Sequence, residues 1–117
     1  MSKHRQKIGV WGENVAAKHL EERGYTVIAQ NVRTPHGEID IIAEKDGFIS
    51  FVEVKTRTSS SYGPPEISVT PRKQEHMVAA AEHYAQENEI DHWQIDVIAV
   101  EGKPGRKPEI IHFENAI

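Results

Sequence analysis

The chain has no cysteine, and it has no run of about 18 apolar residues, the length that a membrane-spanning helix needs. Without cysteine there is no disulfide framework, which is consistent with a reducing compartment. The N-terminal stretch also lacks an apolar segment of signal-peptide length before Glu13 and Asn14. We therefore expect a cytoplasmic protein that has no membrane association.

An excess of positive charge is absent too. The formal net charge is −4, from 14 basic and 18 acidic residues, and this balance argues against a protein that coats nucleic acid without specificity. The composition, 38% hydrophobic and 27% charged, is typical of a globular protein. A chain of 117 residues can bury one core, so residues 1–117 are expected to form a single domain.

Hydrophobic periodicity and turn residues predict two helices and five strands. Asp46-Gly47 is a preferred two-residue hairpin turn between two of the strands, and Pro71 suits the first position of the second helix. The sequence "SSSYGPP", residues 59–65, is expected to be a loop. The predicted elements are a helix over 8–23, strands over 25–32, 38–45 and 48–57, a helix from about 70, and strands over 93–101 and 109–113.

This order, α-β-β-β-α-β-β, predicts an α/β domain with a mixed central sheet of about five strands and a helix on each side. The first helix has an apolar stripe of Val10, Ala17 and Leu20. Glu13 falls in line with that stripe, so its side chain is expected to point toward the sheet. The alternative is that Glu13 lies at the edge of the stripe and extends into water.

The stretch "GEIDIIAEKDGFISFVEVKTR", residues 37–57, carries charged residues on a predicted hairpin. Pairing across the two-residue turn places Asp40 opposite Glu53 and Glu38 opposite Lys55. Because side chains alternate along a strand, Asp40, Glu53 and Lys55 are expected to share one face. The opposite face would make the core contact through its apolar residues, Ile39, Ile41, Ala43, Val52 and Val54.

Two carboxylates directly opposite each other repel, so a positive partner is expected between them. Lys55 supplies part of that charge, and a hard divalent cation such as Mg²⁺ or Mn²⁺ would also fit. A solvated face with an ordinary ion pair between Glu38 and Lys55 is the alternative. A metal held by acids beside a lysine suits phosphodiester hydrolysis. Glycoside hydrolysis also uses paired carboxylates, but an adjacent lysine opposes the raised pKa that a general acid needs.

Several motifs in order carry a resemblance to a known family. "GEIDIIA" followed by "FVEVKTR" resembles the PD-(D/E)-x-K nuclease signature, an acid on one strand and acid-x-lysine on the next. Together with "GE" near the N-terminus, "NVRTPHGEID", "YG" and the closing "HFENAI", the chain resembles the bacterial YraN family of predicted endonucleases. It departs from the signature in having no proline immediately before Asp40, since Pro35 belongs to the preceding turn.

The resemblance implies a restriction-endonuclease-like fold, similar to archaeal Holliday junction resolvases. It implies that Asp40 and Glu53 are metal ligands, that Lys55 is the catalytic lysine, and that Glu13 completes the site. The implied metal is Mg²⁺ or Mn²⁺. Supporting or phosphate-contacting roles are implied for a further set of residues, namely Glu38, Arg33, Arg57 and Lys73.

The function expected from these observations is that of a metal-dependent endonuclease acting on DNA, including branched or damaged DNA in repair or recombination. Symmetric cutting of a junction calls for two sites, so a homodimer is also expected. One alternative is a nucleic-acid binding or adaptor module that keeps the nuclease fold without its chemistry. Another is a protein-interaction domain, which the net acidity favours.

Overall fold

The computed structural model describes residues 3–58 and 69–117. It contains two helices and five strands in the predicted order. The helices are α1 (Lys3–Glu22) and α2 (Pro71–Glu87), and the strands are β1 (Thr26–Thr34), β2 (Gly37–Lys45), β3 (Phe48–Arg57), β4 (Trp93–Glu101) and β5 (Glu109–Phe113). The predicted loop over 59–65 lies outside the described residues.

The strands form one mixed sheet in the order β1-β2-β3-β4-β5. Strands β1, β2 and β3 pair antiparallel, as do β4 and β5, whereas β3 and β4 are parallel. A parallel pair needs a crossover connection, and α2 lies in the connection between β3 and β4. The mixed five-stranded sheet of the α/β prediction is thereby confirmed.

Two apolar clusters fill the layers between the sheet and the helices. On the α1 side, Ala16 and Leu20 pack with residues of the central strands, Ile41, Val52 and Ile98. On the α2 side, Ala80, Ala81 and Ala85 pack with Ile42, Phe51 and Ile95. Each helix thus covers one face of the sheet, and the three-layer arrangement is confirmed.

The helices are positioned by local chemistry at two places. Thr70 caps α2, its side-chain oxygen accepting a hydrogen bond from the Lys73 backbone N–H at 3.2 Å, and Pro71 occupies the first turn. On α1, a Cβ atom at Gly12 would collide with the Thr56 side chain. Glycine at this position therefore allows α1 to lie close against β3.

Two details of the sequence prediction are wrong. Val10 is 58% exposed, because the buried face of α1 is centred on Gly12, Ala16 and Leu20. Ile39 packs on the α2 side of the sheet, whereas strict alternation places it with Ile41. The cause is an irregularity of the strand at Asp40, described below.

Among the helices of the described residues, none has the length and apolar character needed to cross a membrane.

Candidate metal centre

The predicted hairpin register is correct near the turn and ends at the acids. Five cross-strand pairs, from Lys45 with Phe48 to Ile41 with Val52, follow the two-residue turn. The sequence predicts that the ladder continues to the pairs Asp40–Glu53 and Glu38–Lys55, but in the structure it does not. Instead, Asp40 Oδ2 accepts a hydrogen bond from the Val54 backbone N–H at 2.8 Å. A carboxylate therefore takes the place of a backbone carbonyl, and the strands part beside it.

The neighbouring strand is irregular at the same level. Asn31 has a φ of 54°, in the left-handed region, and its place in the register faces Asp40, between the pairs Gln30 with Ile41 and Val32 with Ile39. Alternation is interrupted here, since Ile39 packs on the α2 side although Ile41 packs on the α1 side. The break turns the site residues away from the regular pleat.

Carboxylates from three elements converge at this break. One oxygen each from Glu13 of α1 and from Glu38 and Asp40 of β2 lie within 4.8 Å of one another. Glu53 of β3 is not one of these three, but its charge raises the pKa of Asp40, so it lies nearby. Of the predicted acids, the structure therefore brings Glu13 and Asp40 together with Glu38, and Glu53 lies beside them.

The proximity of these acids changes their protonation. Burial and the charge of Glu53 raise the pKa of Asp40 from 3.8 to about 7, against the opposing hydrogen bond from Val54. Burial also raises the pKa of Glu13; a hydrogen bond with Asn31 opposes the rise, and the charges of Glu38 and Glu53 add to it. Burial is thus the main reason that both carboxyl groups are harder to ionise, and the neighbouring acids add to the effect.

Two lysines approach the same oxygen of Glu53. Lys73 Nζ lies 2.8 Å from Glu53 Oε1, and Lys55 Nζ lies 3.9 Å from that atom. Burial and the neighbouring Lys73 ammonium lower the pKa of Lys55 to about 8, although Glu53 and Asp40 oppose this change. Lys55 lies beside Glu53 and not opposite Glu38, where the hairpin pairing places it, and Lys73 of α2 contacts the same oxygen.

The other basic residues of the prediction lie at different distances from the acids. Arg33 has a 91% exposed side chain and lies 4.0 Å from Glu38. Arg57 has a 15% exposed side chain and forms an ion pair with Glu101 at 3.7 Å. Arg33 is thus open to solvent at the border of the site, whereas Arg57 is held by a neighbouring strand.

The donor set fits the implied metal. All the converging side chains are carboxylates, and oxygen donors are what Mg²⁺ and Mn²⁺ prefer. Burial and the charge of Glu53 disfavour the ionised form of Asp40, and a bound divalent cation would favour it. Glu13, Glu38 and Asp40 are the acids whose oxygens lie close enough together to hold one cation. Glu53, the other expected ligand, lies beside Asp40 and is contacted by Lys73.

Two contributions were missed by the hairpin pairing. Glu38 was expected to face Lys55, but it lies with Glu13 and Asp40 and pairs with Arg33. Asn31 was not identified at all, although its side chain opposes the rise in the pKa of Glu13. The available signal was its residue type, since asparagine tolerates the left-handed conformation better than most residues do.

The fold and the site together define a three-layer α/β protein with an acidic centre at the open end of a hairpin. The chain belongs to the uncharacterised protein family UPF0102, whose model matches residues 12–100. That range contains every acid and both lysines of the centre. The membership is consistent with the resemblance to the YraN family.

Relatives align over nearly the whole chain. A UPF0102 protein of Dehalococcoides mccartyi is 40% identical over 114 residues, covering 95% of this chain and 94% of that protein. One from Syntrophotalea carbinolica is 41% identical over 118 residues, covering 99% and 95%. One from Clostridium perfringens is 44% identical over 102 residues, covering 86% and 84%.

Proposed function

We propose that this protein is a metal-dependent nuclease that hydrolyses phosphodiester bonds of DNA, including branched or damaged DNA. The observation that supports it most is the convergence of Glu13, Glu38 and Asp40 where the hairpin ladder ends, with Glu53 and Lys55 beside them. The acid-x-lysine pattern is also that of the nuclease signature that the sequence resembles.

Each residue has a role in this proposal. Asp40, Glu53 and Glu13 would hold Mg²⁺ or Mn²⁺; the chemistry that such an ion would supply is polarisation of a phosphoryl oxygen and a lowered pKa of water. The Val54 N–H fixes the Asp40 carboxylate in place. Lys55, with a pKa of about 8, remains mainly protonated at neutral pH, so its ammonium stabilises charge that develops on the phosphoryl group.

One basic residue at the border of the site suits a polymeric substrate. The Arg33 side chain is 91% exposed and lies 4.0 Å from Glu38. A phosphodiester of DNA lying across this surface would meet a cation there.

The experiment is a cleavage assay on a panel of DNA substrates (duplex, single-stranded, nicked, flapped and four-way junction), each with Mg²⁺ and with Mn²⁺. We expect metal-dependent cleavage of at least one substrate. Asp40→Asn and Lys55→Met should each reduce the rate by about a hundredfold or more, because each removes charge from the reacting centre. Circular dichroism of each variant checks that the fold is kept.

Glu44→Gln is the matched control for Asp40→Asn, since Glu44 is an exposed acid on the same strand near the hairpin turn. It should cleave as the wild type does. Equal rates for wild type and Asp40→Asn on every substrate would refute the nuclease proposal. DNA binding that persists without cleavage, and that ignores both chelator and Asp40→Asn, would identify a binding or adaptor module instead.

The proposal includes a homodimer, because two sites are needed to cut a junction symmetrically. Size-exclusion chromatography with light scattering, with and without junction DNA, measures the number of chains. A protein that stays monomeric in both states while it cuts both strands of a junction would contradict this part alone.

A further inference from the structure

Glu53 has two lysine neighbours, and the closer one comes from outside the hairpin. Lys73 Nζ is 2.8 Å from Glu53 Oε1, hydrogen-bonding distance, whereas Lys55 Nζ is 3.9 Å from the same atom. Lys73 is therefore a cation in direct contact with an oxygen that a metal would use.

The two lysines differ in freedom to move. Lys55 lies within β3, paired with Ala99 of β4, and its side chain is 18% exposed. The Lys73 side chain is 40% exposed and enters from the first turn of α2. Its backbone N–H is fixed by the Thr70 cap, but its four-carbon side chain can swing toward solvent without disturbing the helix.

The formal charges of the site indicate when the Lys73 side chain would move. The site holds four acids, Glu13, Glu38, Asp40 and Glu53, and two lysines that contact Glu53. If all are ionised, they leave two negative charges, the amount that one divalent cation neutralises. With a divalent cation present, the Lys73 ammonium becomes a like charge beside it and competes for the same oxygen.

We propose that Lys73 is a placeholder cation: it occupies Glu53 in the metal-free protein, leaves Glu53 when a divalent cation binds, and so sets the metal affinity of the site. This inference rests on the proposed function, since it assumes that Glu53 is a metal ligand. Its released ammonium then lies at the rim of the site, free to bind a DNA phosphate. Lys73 is a regulatory residue of the site in the metal-free state.

The test measures Mn²⁺ affinity by isothermal titration calorimetry on the full chain without DNA. Lys73→Met should bind Mn²⁺ about fivefold or more tightly than the wild type, because a competing charge is gone. Lys73→Gln repeats the test with a polar side chain. Lys73→Arg, which keeps the charge, should stay close to the wild type, and Arg72→Met, at the adjacent exposed position, should not change the affinity.

A second readout follows Lys73 itself. The NMR signal of its side-chain ammonium, assigned with Lys73→Arg, should shift on titration of the wild type with Mg²⁺. If the wild type binds Mn²⁺ and both Lys73→Met and Lys73→Gln bind it equally or more weakly, this inference is overturned. The nuclease proposal would still stand. Absence of Mn²⁺ and Mg²⁺ binding by the wild type would overturn both.

Discussion

Asp40 is the residue at which sheet geometry and charge conflict. Its carboxylate replaces a ladder partner for Val54 and at the same time faces Glu53 and Glu13. A regular β2–β3 pair would place a backbone carbonyl there and leave no charge to neutralise. The cost of keeping an acid at this position appears in its pKa, which burial and Glu53 raise to about 7.

Replacing Asp40 by asparagine should stabilise the metal-free protein at alkaline pH. The folded-state pKa of about 7 lies above the ordinary 3.8, so the contribution of Asp40 to stability is lost as pH rises through this interval. Asparagine keeps the shape and stays neutral. We expect a gain on the order of 2 kcal/mol near pH 8 and a smaller one near pH 4.5, measured by urea unfolding in EDTA.

The control for this prediction is Glu44→Gln, an exposed acid on the same strand, which should change the free energy of unfolding by less than about 0.5 kcal/mol at either pH. A destabilised Asp40→Asn near pH 8 would mean that the carboxylate is well compensated in the metal-free protein.

Sequence reasoning identified the main acids of the centre but not its full geometry. Asp40, Glu53 and Lys55 could be found because a two-residue turn fixes the register and alternation fixes the face. Glu38 and Asn31 could not be placed in this way, since the ladder ends at Ile41 and β1 is irregular at Asn31. Such a break depends on α1 and on the neighbouring strand, contacts that no local pattern contains.

At the scale of elements, the contact between α1 and β3 depends on a missing side chain. A methyl group at Gly12 would collide with Thr56. At Gly9, one turn earlier, the described part of the chain places no neighbouring atom within 4 Å of where a Cβ would lie. Periodicity predicted that α1 packs on the sheet, and it does. The periodicity misplaced the centre of the packed face of α1, because it counts Val10 as hydrophobic and does not count glycine.

Gly12→Ala should destabilise the protein by about 1–3 kcal/mol, because the helix must shift or Thr56 must adopt a strained rotamer. Adding Thr56→Ala should recover part of the loss, since it removes two of the three clashing atoms. Chemical denaturation of the two variants and the double variant measures the coupling.

Gly9→Ala provides the matched control on the same helix. It should stabilise the protein by about 0.5–1 kcal/mol, because alanine has the higher helix propensity and nothing obstructs its methyl group. Equal effects of the two substitutions would show that α1 does not approach β3 as closely as the Gly12 contact requires.

Across the whole molecule, two buried aspartates stand in contrast. Asp96 of β4 is 0% exposed, and its carboxyl group has three partners, the Gln94 amide, the Asn115 backbone N–H and His112 Nε2 at 2.7 Å. These contacts tie β5 and the C-terminal residues to the sheet. Within the described residues, Asp40 accepts from one backbone N–H and has an acid beside it. The first aspartate therefore supports the fold, and the second is the one that the nuclease proposal assigns to a cation.

The contrast predicts opposite effects on stability. Asp96→Ala should lower the free energy of unfolding by about 2–4 kcal/mol, because it leaves buried partners unsatisfied, whereas Asp40→Asn should raise it. Asp91→Ala, at an exposed acid shortly before β4, should change it by less than about 0.5 kcal/mol. A neutral Asp96→Ala would contradict the assignment of Asp96 to the fold.

Hydrogen exchange locates the loss. The Ala116 N–H, which donates to the Ile95 carbonyl at 2.9 Å, should exchange faster in Asp96→Ala than in the wild type, beyond the change expected from global stability. Unchanged protection of Ala116 relative to the global value would show that Asp96 does not hold the C-terminal residues.

Gly12 also has a consequence for how this centre can be altered. Glu13 follows it directly, so the depth to which that carboxylate reaches is set by the distance between helix and sheet, and this distance depends on the hydrogen atom that glycine has in place of a methyl group. The cation preference of the centre could be altered with every proposed ligand kept, by changing the distance between α1 and the sheet. Substitutions at residue 12, paired with smaller residues at 56, would move Glu13 in sub-ångström steps.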